Sequence, residues 1–138
     1  MAYAGICSTD DLAAHSIAYF HAKSFDEIVA YTTAGNGNSC AVTTASGNHP
    51  PTVNPGSIYT IPKQTPFTLT GSGNDSDGDP LTFSWEEFDL GSASLANNNT
   101  NPPYFRFFPP VSGPTRTFPK LSDILNNSTT IGEILPNV

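Results

Sequence analysis

Proline and glycine are so frequent in this chain that they limit the length of any regular element. The sequence has 13 prolines and 11 glycines among 138 residues, and a proline inside a helix removes a hydrogen bond and clashes with the preceding turn. Residues 8–33 contain neither residue type and carry most of the helical potential. We therefore predict a mostly β protein that begins with a short helical segment, and we exclude a helical bundle.

The charge balance excludes one large class of partner. The chain has 5 Lys and Arg residues against 12 Asp and Glu residues, which gives a net charge of −7. Nucleic-acid grooves are bound through clustered cations, so we predict no nucleic-acid partner. No apolar run approaches the roughly 20 residues that a membrane-spanning helix needs, so we also predict no membrane span. The abundance of Thr, Ser and Asn is typical of secreted β-proteins and favours a secreted or cell-surface location.

The helical segment carries a capping pattern. Ser24, with Glu27 three positions later, matches the capping box that begins many helices. It predicts a helix over residues 25–31, whose apolar residues have the i, i+3, i+4 spacing of one face. Residues 34–37, with two glycines and an asparagine, are expected to end it, because Gly and Asn tolerate the left-handed conformation of a helix end.

Beyond residue 50 the apolar residues alternate with polar ones, which is the period of a β-strand. This alternation covers residues 58–61, 67–71 and 81–86, and it places Trp85 on an inward-facing row. Short strands separated by proline and glycine are expected in an antiparallel sandwich with one buried face.

The number of strands sets the predicted fold class. A complete immunoglobulin-like sandwich has about seven strands, and residues 50–138 offer about five by the same alternation. We therefore predict an incomplete immunoglobulin-like antiparallel sandwich over residues 46–138, truncated at its C-terminus. Residues 1–45 form a short helical segment that is too small to bury a core unaided. A further helical turn is predicted over residues 121–127.

The most specific chemical signal is the turn that reads N-D-S-D-G-D-P. Its three carboxylates, Asp75, Asp77 and Asp79, alternate along the chain, so a folded-back turn brings their oxygens together, as a hard cation such as Ca²⁺ requires. Residues 75–89 contain six acidic residues and no basic ones, and a bound calcium ion would relieve their repulsion. The alternative is a solvated acidic turn, because Asp, Ser and Gly also form turns without a metal. The spacing does not match an EF-hand.

Cys7 and Cys40 are the only cysteines. An even cysteine count in a chain of secreted composition predicts one disulfide, which would staple the helical segment. The alternative is two unpaired thiols. Two cysteines without a Cys-x-x-Cys spacing or paired histidines do not make a zinc site.

The familiar catalytic patterns do not occur in the sequence. It has neither an H-E-x-x-H helix nor a G-x-S-x-G elbow, which are signatures of zinc peptidases and of serine hydrolases. Glu86 and Glu87 are neighbours in a predicted strand and point to opposite faces, so they are poor partners for acid–base chemistry. We therefore predict that this chain has no catalytic residues of its own.

Several motifs occur in the order in which one family has them. Residues 1–7 read M-A-Y-A-G-I-C, residues 19–28 read Y-F-H-A-K-S-F-D-E-I, and residues 35–40 read G-N-G-N-S-C. Together they resemble the C-terminal end of the catalytic domain in bacterial reprolysin-like zinc metallopeptidases of the metzincin group. The resemblance implies that Met1 is the methionine of the Met-turn beneath the zinc.

The same resemblance extends to the rest of the chain. It implies that Cys7 pairs with Cys40 around the closing helix. Residues 50–123, which include the stretch N-D-S-D-G-D-P-L-T-F-S-W, resemble the immunoglobulin-like module that follows such protease domains and is related to cadherin-like and PKD-like repeats. In that module the D-x-D-G-D turn is a calcium site. The implied ligands are Asp75, Asp77 and Asp79.

The resemblance also limits the expected activity. In the family the zinc ligands and the catalytic Glu lie upstream of the Met-turn, whereas this chain begins at that methionine. The expected function is the non-catalytic portion of a secreted zinc-dependent metalloendopeptidase, namely a Met-turn scaffold and a calcium-stabilised accessory β-domain. Zinc belongs only to the full-length parent, whose remaining protease domain and protein substrates are the implied partners. The alternative is a calcium-dependent adhesion or protein- or glycan-binding module with a surface of Phe105, Phe107 and Phe108.

Overall fold

The computed structural model describes Gly5 and residues 14–89, 100–130 and 132–137. The elements are helix α1 (Ala22–Thr33), a 3₁₀-helix (Asn36–Cys40), strands β1 (Thr52–Asn54), β2 (Phe67–Thr70), β3 (Ser72–Asn74) and β4 (Thr115–Phe118), and helix α2 (Leu121–Asn126). In these ranges no helix is both long and apolar enough to cross a bilayer. The described residues form two small antiparallel sheets and few helices, so the fold class is mostly β or α+β.

Each sheet pairs two strands that are distant in sequence. β1 pairs with β3, where Thr52 lies opposite Asn74, and β2 pairs with β4, where Phe67 lies opposite Phe118. In the second sheet these two rings stack on one face, while threonine hydroxyls hydrogen-bond across the exposed face. Two-stranded sheets are smaller than the sheets of a sandwich, so the described residues do not confirm the predicted immunoglobulin-like fold.

The strand predicted over residues 67–71 is confirmed as β2. Phe67 and Leu69 are half-buried and the intervening threonines are exposed, as the alternation predicts. Residues 58–61 show the same alternation but form no strand, and Ile58 is fully exposed. An alternating pattern becomes a strand only where another strand pairs with it, and no described strand lies beside residues 58–61.

The strand predicted over residues 81–86 is reduced to one bridge, between Phe83 and Val111. Two prolines precede Val111, and proline lacks the N–H that would continue a ladder. Trp85, which we predict to face inward, is half-buried, and its Nε1 donates to the Pro114 carbonyl at 2.9 Å. One bridge and one side-chain hydrogen bond therefore hold this segment, in place of the continuous ladder of backbone hydrogen bonds that the alternation predicts.

Helix α1 begins earlier than the capping box predicts. Its N-cap is His21, whose Nδ1 accepts a hydrogen bond from the Lys23 backbone N–H at 3.2 Å. Ser24 lies inside the first turn, so the predicted cap is wrong. The predicted position of the end is confirmed, because the helix stops at Thr33, just before the Gly and Asn residues. The left-handed conformation expected there is not adopted, because the C-cap is Ala34 with a φ of −124° and neither glycine has a positive φ. Helix α2 over Leu121–Asn126 confirms the predicted helical turn.

The core of the described residues is small and aromatic. Phe105 and Phe118 are buried, and with Phe67 they form an aromatic cluster whose ring centroids lie 4.9 to 5.6 Å apart. Phe67 stacks on Phe118, while Phe105 meets both rings edge-on, which are the favoured arrangements of aromatic quadrupoles. Beside the cluster, Arg116 Nη2 donates to Glu133 Oε1 at 2.6 Å. We refer to this ion pair as the Arg116–Glu133 pair.

The predicted disulfide is not supported. Cys40 is exposed, carries a free thiol and lies at the end of the 3₁₀-helix. Cys7, its predicted partner, and Met1, the predicted Met-turn residue, lie outside the described residues. The first turn of α1 instead contacts residue 86, because the Ala22 N–H donates to Glu86 Oε2 at 2.7 Å.

Candidate metal centre

The acidic turn follows strand β3 directly, and its own carboxylate shapes it. Asp75 Oδ1 accepts hydrogen bonds from the backbone N–H of Asp77 at 2.8 Å and of Asp79 at 3.3 Å. An aspartate that binds the backbone two residues ahead forms an Asx turn. This local bond folds the chain back, so alternate side chains lie on the same side of the turn.

The three predicted ligands converge. One carboxylate oxygen from each of Asp75, Asp77 and Asp79 lies within 4.8 Å of the others. Two oxygens that bind one calcium ion at about 2.4 Å each are separated by at most about 4.8 Å. The spacing of the three carboxylates therefore allows them to hold one metal ion, and calcium stays the ion predicted from the sequence. Ca²⁺ takes about six to eight oxygen ligands, so backbone carbonyls or water would complete the shell.

His49 binds the same turn from the preceding segment. Its backbone N–H donates to Asp77 Oδ2 at 2.7 Å, and its Nδ1 lies 2.9 Å from Asp77 Oδ1. These two hydrogen bonds, the backbone one first, lower the pKa of Asp77. The carboxylate therefore stays ionised to lower pH than usual, as a metal ligand must.

The position of His49 follows from the register of the first sheet. Thr52 lies opposite Asn74. His49 is three residues before Thr52 and Asp77 is three residues after Asn74, so the antiparallel register places His49 beside Asp77. Sequence analysis missed this contact because β1 has no alternating apolar pattern. Once β1 is paired with β3, the contact is predictable.

Gly78 is required by the shape of the turn. Its φ is +82°, and a Cβ at this position would have no heavy atom within 4 Å. Replacing Gly78 with alanine is therefore expected to lower the free energy of unfolding by about 1 to 2 kcal/mol through backbone strain alone. Urea unfolding of the two proteins measures the difference.

Gly113 provides the matched control for this substitution. Its Cβ would also meet nothing within 4 Å, but its φ is not positive. Gly113→Ala should therefore leave stability unchanged or raise it by up to about 1 kcal/mol, because alanine restricts the unfolded chain. Equal losses in the two variants would show that the left-handed backbone at Gly78 does not matter.

The aromatic residues of the alternative binding surface lie largely inside the fold. Phe105 is buried, and Phe107 and Phe108 are half-buried. The Phe107 ring stacks on Tyr19 at 5.5 Å, and the Phe108 ring lies 4.8 Å from the Arg116 guanidinium. Their rings make intramolecular contacts, and only Phe107 and Phe108 keep part of their surface exposed.

The two adjacent glutamates contact different parts of the chain, although the strand predicted for them is absent. Glu86 Oε2 accepts from the Ala22 N–H in α1. Glu87 Oε2 accepts from the N–H groups of Tyr104 and Phe105, at 2.7 and 2.8 Å. Burial raises the pKa of Glu87, against the lowering effect of those two N–H groups. Neither geometry brings the two carboxylates together for acid–base chemistry.

Comparisons with known proteins give no information about the candidate site. No protein-family model, no curated protein and no solved structure matches this chain.

Proposed function

We propose that this chain is the non-catalytic portion of a secreted zinc-dependent metalloendopeptidase, in which residues 46–138 form a calcium-stabilised accessory β-domain. The observation that carries the calcium part is the convergence of the Asp75, Asp77 and Asp79 oxygens within 4.8 Å of one another. The protease part rests on the order of the motifs in residues 1–40. A secreted location suits such a turn, because extracellular modules bind Ca²⁺ with Kd values of about 10⁻⁴ to 10⁻³ M.

Contacts between the helical segment (residues 1–45) and the β-domain (residues 46–138) support a β-domain that packs against the helical segment. Tyr19 stacks on Phe107, Ala22 donates to Glu86, and His21 Nε2 lies 3.1 Å from the Glu87 carbonyl oxygen. These contacts join the segment that resembles the closing helix of the protease to the β-domain. The β-domain would thus act as a spacer or a substrate-presenting module with a set orientation.

Calcium is expected to raise the melting temperature of the chain. A ligand that binds only the folded state at ten times its Kd adds about 1.4 kcal/mol, which corresponds to about 3 to 6 °C for a domain of this size. Scanning calorimetry in EDTA and then in millimolar CaCl₂ measures the shift. Replacing Asp77 and Asp79 together with asparagine should abolish it, because asparagine keeps the shape of the side chain but not its charge.

The control removes the same charge elsewhere. Asp26 and Glu27 lie on the exposed part of α1, and their double replacement with Asn and Gln should leave the calcium shift intact. An equal calcium shift in the Asp77 and Asp79 variant, or none in the wild-type chain, would reject the metal site. Loss of the shift in the control would mean that Ca²⁺ only screens the net negative charge.

The protease part has an independent test. The DNA upstream of the codon for Met1 should continue the reading frame and encode H-E-x-x-H-x-x-G-x-x-H, the zinc-binding motif of the family that the chain resembles. A stop codon and a promoter at that point would reject the protease parent while leaving the calcium site open. The adhesion alternative would then become the better proposal.

A further inference from the structure

A cavity of about 320 Å³ lies between the start of helix α1, strands β1 and β3, and residues 83–86. Its walls are largely apolar and include Tyr19, Val53, Phe83 and Trp85. Pockets of about 300 Å³ or more with apolar walls and a few polar groups are the usual form of small-ligand sites. The polar group that distinguishes this cavity is the side chain of Glu86.

Glu86 contributes a buried carboxylate with an unused acceptor. Its side chain is only 7% exposed. Oε2 accepts from the Ala22 N–H at 2.7 Å, whereas Oε1 is buried and has no hydrogen-bond partner. Burial first, and then the neighbouring Glu86 carboxylate, raise the pKa of Tyr19, but by distance and angle the Tyr19 hydroxyl makes no hydrogen bond to Oε1. A buried acceptor without a donor is costly, and more so when it carries charge.

His21 is the one basic side chain within 4 Å of Glu86 among the described residues, at 3.7 Å from Oε2. Both of its ring nitrogens make contacts with other groups. Nδ1 accepts from the Lys23 N–H, and Nε2 lies 3.1 Å from the Glu87 carbonyl, to which it donates. Neither ring nitrogen makes a hydrogen bond to Glu86, so His21 does not supply the donor that Oε1 lacks.

We infer that the cavity binds a primary alkylammonium group, with the ammonium at Glu86 and the alkyl chain along the apolar walls. An ammonium supplies the missing donor together with a positive charge, and the cavity is also lined by Trp85 and Tyr19, residue types that attract cations. The net charge of −7 favours cationic ligands as well. Glu86 is one of the residues that line the cavity. A lysine side chain and a free alkylamine share this chemistry.

The experiment uses the full chain and its own fluorescence. Trp85 is the only tryptophan and lines the cavity, so its emission reports on occupancy. Titration with n-butylammonium chloride should give a saturable change with a Kd in the roughly millimolar range. The isosteric neutral probe n-butanol should bind at least about tenfold more weakly, because it brings no charge to Glu86. Nα-acetyl-lysine N-methylamide serves as the peptide-borne probe. Binding of that probe as tight as that of butylammonium identifies a lysine side chain, and weaker binding identifies a free amine.

Three variants decide whether Glu86 and the cavity are responsible. Glu86→Gln keeps an acceptor for the Ala22 N–H but removes the charge, and it should weaken butylammonium binding at least about tenfold. Glu27→Gln, on the exposed side of α1, removes the same charge and should bind as the wild type does. Ala22→Leu fills the cavity wall and should remove binding of every probe.

The inference is overturned by any of three results. These are an unchanged affinity in Glu86→Gln, equal binding of butanol and butylammonium, and retained binding in Ala22→Leu. Circular dichroism shows whether each variant is folded. If Glu86→Gln does not fold, the comparison of the two probes on the wild-type chain decides the matter alone.

Discussion

Replacing Arg116 with methionine is expected to lower the free energy of unfolding by about 3 to 5 kcal/mol. The Glu133 side chain is fully buried, and Arg116 Nη2 donates to its Oε1 at 2.6 Å. Without the guanidinium, its remaining described donor is the Lys120 N–H, at 2.6 Å from Oε2. A buried carboxylate then lacks its counter-ion. Urea unfolding, followed by the fluorescence of Trp85, measures the loss.

The loss is large because Arg116 joins several segments at once. Its Nη1 donates to the Trp85 carbonyl at 2.6 Å, and its Nη2 also donates to the Arg106 carbonyl at 2.5 Å. The guanidinium lies 4.8 Å from the centre of the Phe108 ring and 4.3 Å from that of Phe118. Burial lowers the pKa of Arg116, and Glu133 opposes that shift. Lysine cannot reproduce this planar set of donors, so Arg116→Lys should also destabilise the protein.

An exposed ion pair on α1 is the control for the Arg116–Glu133 pair. Lys23 Nζ lies 3.9 Å from Glu27 Oε1, and the Glu27 side chain is mostly exposed. Glu27→Gln should change stability by no more than about 0.5 kcal/mol. The double variant Arg116→Met, Glu133→Gln should cost less than the two single variants together, because neither charge is left alone. Additive losses would show that the two side chains do not interact.

The parts of the fold that depend on local sequence were predictable. The end of α1 follows from the Gly and Asn residues at 35–38, and β2 follows from the alternation of Phe67 and Leu69 with threonines. The acidic turn belongs to the same group, because its three carboxylates lie within five residues and Asp75 itself accepts the backbone hydrogen bonds of the turn. Information from distant residues was not needed for these elements.

The parts that depend on distant residues were not predictable. β1 reads T-V-N and β3 reads S-G-N, so neither three-residue strand has an apolar alternation long enough to predict it. His21 caps α1 with a ring nitrogen, which cap statistics do not favour. Its position depends on a contact with Glu87 across the fold. An ion pair such as Arg116–Glu133 leaves no periodic signal in the chain.

The same limit applies to the candidate binding groups. The adjacent acidic residues Glu86 and Glu87 were visible as an acidic pair, and the structure gives their carboxylates different hydrogen-bond partners. Their burial was not predictable, because the N–H groups that bind them come from Ala22, Tyr104 and Phe105. The sequence therefore identified the acidic turn but not the buried Glu86 carboxylate, because the burial of Glu86 depends on contacts with distant residues.

Replacing Phe118 with alanine is expected to cost about 3 to 5 kcal/mol. Phe118 is 5% exposed, and its ring stacks on Phe67 at 4.9 Å and meets Phe105 edge-on at 5.1 Å. Alanine would leave a cavity between the two partners and remove the ring that lies under Arg116. Phe118→Leu keeps most of the apolar volume and should lose less. Urea midpoints of the three proteins give the order.

Phe25 provides the comparison, because its face of α1 looks equally apolar in the sequence. The residue is 58% exposed, and no residue of α1 is buried. Phe25→Ala should therefore change the stability of this chain by about 0.5 kcal/mol or less. A loss as large as that of Phe118→Ala would mean that α1 is a second core and that the aromatic cluster is not the main one. A small loss at both positions would mean that the Arg116–Glu133 pair, rather than the rings beside it, holds β4 in place.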